Sequence, residues 1–459
     1  MLDKSRISKL RSILKDKVIT PEDKEYEDAR KVWNGMIDKR PYLIVKCENE
    51  DDIIEALKFG KSEKLPIAIR GGGHNVAGFG TCDNGIVIDL SKMKEIKVDP
   101  NDKIAYAQPG LTWGEFDKET QKYSLATTGG LVSTTGIAGF SLGGGIGWLV
   151  RKYGLTIDNL RAVELLTADL KKVRASKYEN QDLFYGVRGG GGNFGIVTKF
   201  EYNLHEVGPI VFGGVLIYKL EKSYEILKKI VKWQTENLTE NITTLTVFMT
   251  APPLPIIPKE LQGLKVMALG ACYVGEIKEG EKVMKPLRDL NPDADLLGPI
   301  PYLVLQSMFD AGAPKGINAY WKTSYLNYLN EESLKTLIGI ANKMPMSFSQ
   351  LHIHHLGGAV TKVPINETPF IHRDSPYVAN IVGLWMDPID KEKCIGWTRE
   401  SFKLIQNFSN GAPYINFMAE HDKESVKSAY GEAYSRLVAL KRKYDPENVF
   451  RINQNINPN

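Results

Sequence analysis

Residues 65–75, LPIAIRGGGHN, begin as a short apolar run that reads as a buried strand and end in three glycines and a histidine. Glycine has no Cβ, so the chain can bend sharply there and its backbone can come close to another group. His74 is the unexpected part, because a phosphate cradle needs no imidazole and a metal site needs no glycines. Two further glycine-rich loops, 129–147 and 189–195, also lie beside β-type runs. Three such loops fit one large anionic ligand held by backbone N–H groups from several sides.

Two familiar nucleotide sites fail on context. A dinucleotide fingerprint in the first loop needs glycines at 71, 73 and 76, and position 76 is Val76. The third loop has the spacing at Gly190, Gly192 and Gly195, but it leads into IVTKFEYNL, a strand and not the helix whose N-terminus holds a pyrophosphate. No GxxxxGK[ST] segment occurs.

At 459 residues the chain is too long for one ordinary core, and two or three domains are expected. Its 42% hydrophobic and 25% charged content is that of a soluble globular protein. A net charge of +4 without a Lys/Arg block lends no support to nucleic-acid binding. No apolar run reaches the roughly 18 residues of a membrane span, and the charged N-terminus lacks the core of a secretory signal, so a cytoplasmic location is expected. Cys47, Cys82, Cys272 and Cys394 are widely separated and read as buried free thiols.

Along the chain, GIVIDLS (85–91), KEIKVDP (94–100), KIAYAQPG (103–110) and GIVTKFEYNL (195–204) read as strands. Thr112, with Glu115 three residues on, predicts the start of a helix over 112–124. Beyond about residue 206, apolar strands such as IVFGGVLIYKL, SQLHIHHLGGAV and YVANIVGLWMD alternate with amphipathic helices, which predicts a second α+β domain with a large antiparallel sheet. A single last helix is predicted over ESVKSAYGEAYSRLVALKRKY, ending before Asp445-Pro446.

Five blocks occur in a fixed order: PIAIRGGGHN, GIVIDLSKM, GGLVSTTGIAGFSLGGGIGWLVRKYGLTIDNL, DLFYGVRGGGGNFGIVT and YDPENVFRINQNI. Together they resemble the berberine-bridge-enzyme-like branch of the vanillyl-alcohol-oxidase superfamily, with its PCMH-type FAD-binding domain. The resemblance spans nearly the whole chain. It implies an α+β, two-domain flavoprotein with a discontinuous FAD-binding domain. Residues 1–205 would form its first part, residues 206–411 an inserted substrate domain of antiparallel sheet and helices, and residues 412–459 a segment returning to the FAD domain.

By the same resemblance, His74 is the residue joined to the 8α-methyl carbon of FAD, a reaction for which a neutral imidazole is a competent nucleophile. Many relatives carry a second link from a cysteine; here Val132 stands at that position, so one link is expected. Arg70, Gly71, Gly72, Gly73, Asn75 and Gly78 would approach the cofactor from the first loop. Backbone groups at Ser133, Thr134 and Gly136 through Gly145, with Gly139, Gly143 and Gly144 among them, would hold its pyrophosphate and ribityl chain, and Gly130 would also contact the cofactor. Val197 would contact adenine, while Tyr414, Asn416, Asn453 and Asn455 would close the site.

The implied activity is hydride transfer from a small alcohol, sugar or related metabolite to flavin. The electrons would pass to dioxygen, giving hydrogen peroxide, or to another acceptor. Oxidative cyclisation or tailoring of a secondary metabolite, and flavin binding without turnover, stand as alternatives. The family's Y-x-N-Y motif appears as Tyr414-Ile415-Asn416-Phe417, so its second aromatic has no proton to exchange, and a tyrosine of plant members is Ile146. Tyr414 is therefore a candidate acid or base or a substrate-orienting group, and a packed aromatic with a satisfied hydroxyl is the competing reading. In QLHIHHLGG, strand geometry places His352 and His354 on one face and Ile353 and His355 on the other. No third ligand with recognisable spacing follows, so a metal is not expected. His354 and Gln350 are candidate substrate contacts, His354 an alternative base, and a histidine with only a structural role is the competing reading. Thr135 stands at the family's proposed oxygen gatekeeper and leaves the acceptor open.

Overall fold

The computed structural model describes residues 4–236, 239–345, 348–419 and 423–459. Its first sheet has four strands in the order Val18–Ile19, Leu43–Lys46, Ile86–Asp89 and Ile67–Arg70. The last three are parallel, with Ile86–Asp89 in the middle and buried throughout, as a parallel sheet covered on both faces requires. The crossover helix Glu50–Ser62 opens on Asn49, whose side chain accepts the Asp52 N–H. Arg70 ends its strand in register with Asp89, and the two form a buried ion pair at 2.8 Å. The glycine turn thus leaves from an anchored strand end.

A second, antiparallel sheet runs Ile96–Asp99, Ile104–Ala107, Ile196–Asn203, Leu160–Leu166 and Lys172–Ser176. The helix expected after Thr112 spans Trp113–Thr120 and carries the full capping box with Glu115.

The third sheet is wholly antiparallel and built from the middle of the chain. Its main path is Ala294–Asp295, Ile210–Lys219, Lys265–Tyr273, Ile242–Thr250, Gln350–His355, Tyr377–Trp385 and Asn318–Leu326. Helices Ser223–Glu236, Glu331–Asn342 and Lys391–Ile405 cover one face, where Leu351 and Ile353 pack with Ile230, Leu337 and Trp397. His352 and His354 alternate to the opposite face, which looks toward the glycine loops.

Two expectations need correction. The strand over QLHIHHLGGAV stops at His355, because Gly357 and Gly358 take φ of +90° and +59° and turn the chain. The last helix is two, Lys423–Tyr430 and Tyr434–Tyr444, separated at Gly431, whose φ of +46° is left-handed. After the second helix the chain returns to the third glycine loop. Lys441 Nζ, fully buried, donates to Asn193 O, Asp445 Oδ2 and Phe450 O at 2.7–2.8 Å. The four cysteines are free and buried, and no helix among the described residues is long and apolar enough to cross a membrane.

Candidate active site

All three glycine loops open on one cavity of about 310 Å3, whose remaining walls are the C-terminal segment and the exposed face of the large sheet. The first two loops cross with their backbones in contact: a Cβ on Gly72 would come within 2.5 Å of Gly136 N. At Gly139 and Gly192, by contrast, an added Cβ would meet nothing within 4 Å, so their backbones are open to a ligand.

Of the residues singled out from sequence, Arg70, Gly71, Gly72, Gly73, His74, Asn75, Gly130, Gly136, Gly139, Gly143, Val197, Asn416, Asn453 and His354 line this cavity. Val132 and Thr135 line it too. Gly78, Ser133, Thr134, Gly144, Tyr414 and Asn455 do not. Gly78 forms a tight turn back to Asn75. Ser133 turns toward the substrate-side segment, its N–H donating to Asp310 Oδ1 at 2.8 Å and its hydroxyl to Asp310 Oδ2, so this N–H is not available to a pyrophosphate. Thr134 contacts the site through His74. Asn455 is held beside Ile456, whose N–H reaches Asn193.

Tyr414 departs most from its expected role. Its ring is buried behind the second glycine loop, and its hydroxyl accepts the Gly145 N–H at 2.8 Å and the Asn416 amide at 3.0 Å. Burial raises the phenol's pKa well above its ordinary value. These contacts make Tyr414 a brace for the loop and for Asn416, away from the cavity where an acid or base would act.

His74 stacks on Trp33 with ring centroids 5.2 Å apart and planes 21° from parallel, and its Nε2 lies 2.9 Å from Thr134 Oγ1. The residue is half-buried and lines the cavity. Burial first, and the nearby Lys315 ammonium second, lower its pKa from 6.5 to about 4. The imidazole is therefore neutral at pH 7.

The sheet wall presents His352, His354, Asn380 and Trp321. His352 and Asn380 are cross-strand partners, and His354 follows two residues along the same face. His352 Nε2 donates to Gln350 Oε1 at 2.6 Å, since an amide oxygen can only accept. His354 Nε2, Asn380 Oδ1 and Trp321 Nε1 are buried with no hydrogen-bond partner. Burial lowers the pKa of His352 to about 4; burial, with His352 adding to it, lowers His354 to about 3. Both rings are neutral at physiological pH. Around them lie Trp33, Phe309, Phe417, Leu131 and Leu245, and Arg70, already paired with Asp89, is the one charged side chain on the wall among the described residues.

Sequence reasoning missed Trp33, Trp321, Phe309 and Asn380, which come from parts of the chain without a motif. Asn380 did leave a signal, as the one amide in YVANIVGLW, a strand buried along its whole length. A larger open groove of about 920 Å3, bordered by Glu50, Glu95, Lys97, Glu164 and Lys199, lies on the surface away from these residues. No cluster of three or more metal-ligating side chains occurs among the described residues.

A split domain that offers backbone-rich loops to a cavity, closed by the face of an inserted antiparallel sheet, defines a two-domain cofactor-dependent enzyme. The family model "FAD binding domain" matches residues 41–176, and "Berberine and berberine like" matches residues 413–457. An FAD-linked oxidoreductase of Dictyostelium discoideum is 32% identical over 94% of this chain and 92% of its own. (R)-6-hydroxynicotine oxidase of Paenarthrobacter nicotinovorans is 28% identical over 97% of each chain. The crystal structure of 6-hydroxy-D-nicotine oxidase from Arthrobacter nicotinovorans superposes with a TM-score of 0.87 at 28% identity, covering 97% of this chain and 98% of that one. The chain belongs to the berberine-bridge-enzyme-like family of FAD-linked oxidoreductases.

The residues present fit FAD on structural grounds. The open backbones of Gly139 and Gly192 give close approach to an extended cofactor. Arg70 Nη1 and Asn453 Oδ1 are buried at the cavity without partners and are free to bind it.

Proposed function

We propose that this enzyme oxidises a small, uncharged molecule with a planar apolar body, at a C–H bond beside a hydroxyl or amine. When bound, FAD would supply the hydride acceptor, with dioxygen or another acceptor as the final destination of the electron pair. His354 takes the substrate's proton: its ring lines the cavity and its Nε2 is buried without a partner, and this observation carries the reading. A neutral imidazole accepts a proton without first having to lose one. Asn380 Oδ1 and Trp321 Nε1 offer an acceptor and a donor that orient the polar end of the substrate.

The aromatic rings of Trp33, Trp321, Phe309 and Phe417 suit a planar body better than a sugar, which would need many more polar groups than this wall offers. Among the described residues the one cation on the wall, Arg70, is already paired with Asp89, which disfavours a carboxylate or phosphate substrate. His74 is the point of covalent attachment, and with Val132 at the cysteine position the link is single.

The test is anaerobic photometric reduction of the bound flavin by a panel of aromatic alcohols, cyclic amines and sugars. Bleaching by the first two classes and not by sugars is expected. Bleaching only by sugars would overturn the substrate reading, and no bleaching by any compound would favour flavin binding without turnover. Flavin fluorescence retained in the denatured protein band tests the link.

A further inference from the structure

His74 has two contacts that no motif describes. Trp33 lies outside the residues matched by either family model, yet its indole stacks on the imidazole. Trp33 is itself fixed by three contacts, two of them through the indole. The Trp33 backbone N–H donates to Gly73 O at 3.0 Å, one residue before the histidine. Its Nε1 donates to Ala313 O at 2.9 Å, tying it to the segment that borders the substrate end of the cavity. Its ring meets the edge of Trp321 at 5.7 Å. On the other side, Thr134 Oγ1 holds His74 Nε2, the one hydrogen bond of this ring among the described residues.

We propose that Trp33 and Thr134 are positioning residues that present the Nδ1 lone pair of His74 to the cofactor and set the rate of covalent attachment. This rests on the His74 link proposed above. An unrestrained histidine turns about two side-chain torsions, and a nucleophile held in line gains large effective concentration over one that is free. Stacking fixes the plane of the ring, and in the tautomer that donates its Nε2 proton to Thr134 Oγ1, Nδ1 keeps its lone pair. The low pKa of the ring, near 4, keeps that lone pair free at neutral pH.

In the attachment step the Nδ1 lone pair forms the bond to the 8α-methyl carbon. That carbon gives up one proton to water, and the imidazole gives up its Nε2 proton through the Thr134 hydroxyl, which releases its own proton to solvent as it takes the new one. The electron pair of the broken C–H bond stays on the flavin until the enzyme's electron acceptor, dioxygen or another two-electron oxidant, removes it with the two protons. Atoms and charge then balance, and the imidazole ends neutral and alkylated.

The experiment takes full-length protein from riboflavin-starved cells, adds FAD, quenches in acid at intervals and reads flavin fluorescence in the protein band against free flavin. FAD binding is measured separately, and His74→Ala is the unlinked control. Trp33→Leu and Thr134→Val should bind FAD fully but attach it at least about tenfold more slowly. Trp33→Phe and Thr134→Ser, which keep the ring face and the hydroxyl, should stay within about threefold of the wild type. Wild-type rates in Trp33→Leu and Thr134→Val would overturn the inference, and so would a Trp33→Phe as slow as Trp33→Leu. If Trp33→Leu does not fold, the Thr134→Val and Thr134→Ser pair decides, with equal rates overturning it. A wild type that releases all its flavin would overturn the attachment reading and this inference together, whereas a linked wild type with unaffected variants overturns the inference alone.

Discussion

Gly72 and Gly136 cross backbone to backbone, and a methyl on Gly72 would sit 2.5 Å from Gly136 N. This contact brings the first two glycine loops together on one cavity. Because the obstructing atoms are main chain on both sides, neither can rotate away. Gly72→Ala should cost at least about 1–3 kcal/mol, as overpacking does, and separate the loops. A fall in melting temperature together with a fall in bound FAD per chain is the expected result, and an unchanged flavin ratio would contradict it.

His354 and Tyr414 divide the roles that sequence left open. His354→Gln should lower the rate of flavin reduction by about 10²–10⁴ with FAD content unchanged, the scale of a lost general base. Tyr414→Phe should lower it less than about tenfold, and should cost about 1–3 kcal/mol of stability by leaving the Gly145 N–H unpaired. Stopped-flow reduction and denaturant unfolding separate the two.

The pH profile carries a second check on His354. With its pKa lowered to about 3, the ring stays neutral from pH 5 upward, so flavin reduction should show no decline on passing below pH 6.5. A fall in rate at the ordinary histidine pKa would place the base elsewhere.

His355 points away from the cavity, stacks on Tyr377 and is lowered to about 3 by burial, with Arg151 adding to it. The unfolded chain binds a proton here near pH 6.5 and the folded chain does not. Stability is therefore lost as pH falls from about 6.5 toward 3, by at most about 1.4 kcal/mol per pH unit for this group. His355→Gln should flatten the decline by that amount in urea titrations at pH 7, 6 and 5. An identical decline would mean that the folded protein protonates His355 normally.

Lys441 and Asp445, each with no exposed side-chain surface, tie the C-terminal segment to the third glycine loop. Lys441→Met would leave the Asp445 carboxylate buried and uncompensated, at a cost of about 3–5 kcal/mol. Loss of FAD affinity should accompany the loss of stability, since Phe450, Ile452 and Asn453 on the same segment line the cavity.

The sequence by itself determined the features that are local. Strand-to-glycine transitions, the Thr112–Glu115 cap, the alternation that sends His352 and His354 to one face, and the absence of a thiol at Val132 are all readable over a few residues, because backbone geometry and side-chain chemistry act at that range. It also carried the ordered blocks by which the family was recognised. Tertiary structure alone decided which of these residues meet. Tyr414 kept its phenol in a family motif, yet packing turned it behind the loop. Ser133 stands at a motif position that implies a phosphate contact, yet Asp310, 177 residues away, takes its N–H. Trp33, Phe309 and Asn380 entered the site from unmarked segments through sheet register and domain packing. Such long-range contacts depend on where the chain returns, and no short window of sequence holds that information.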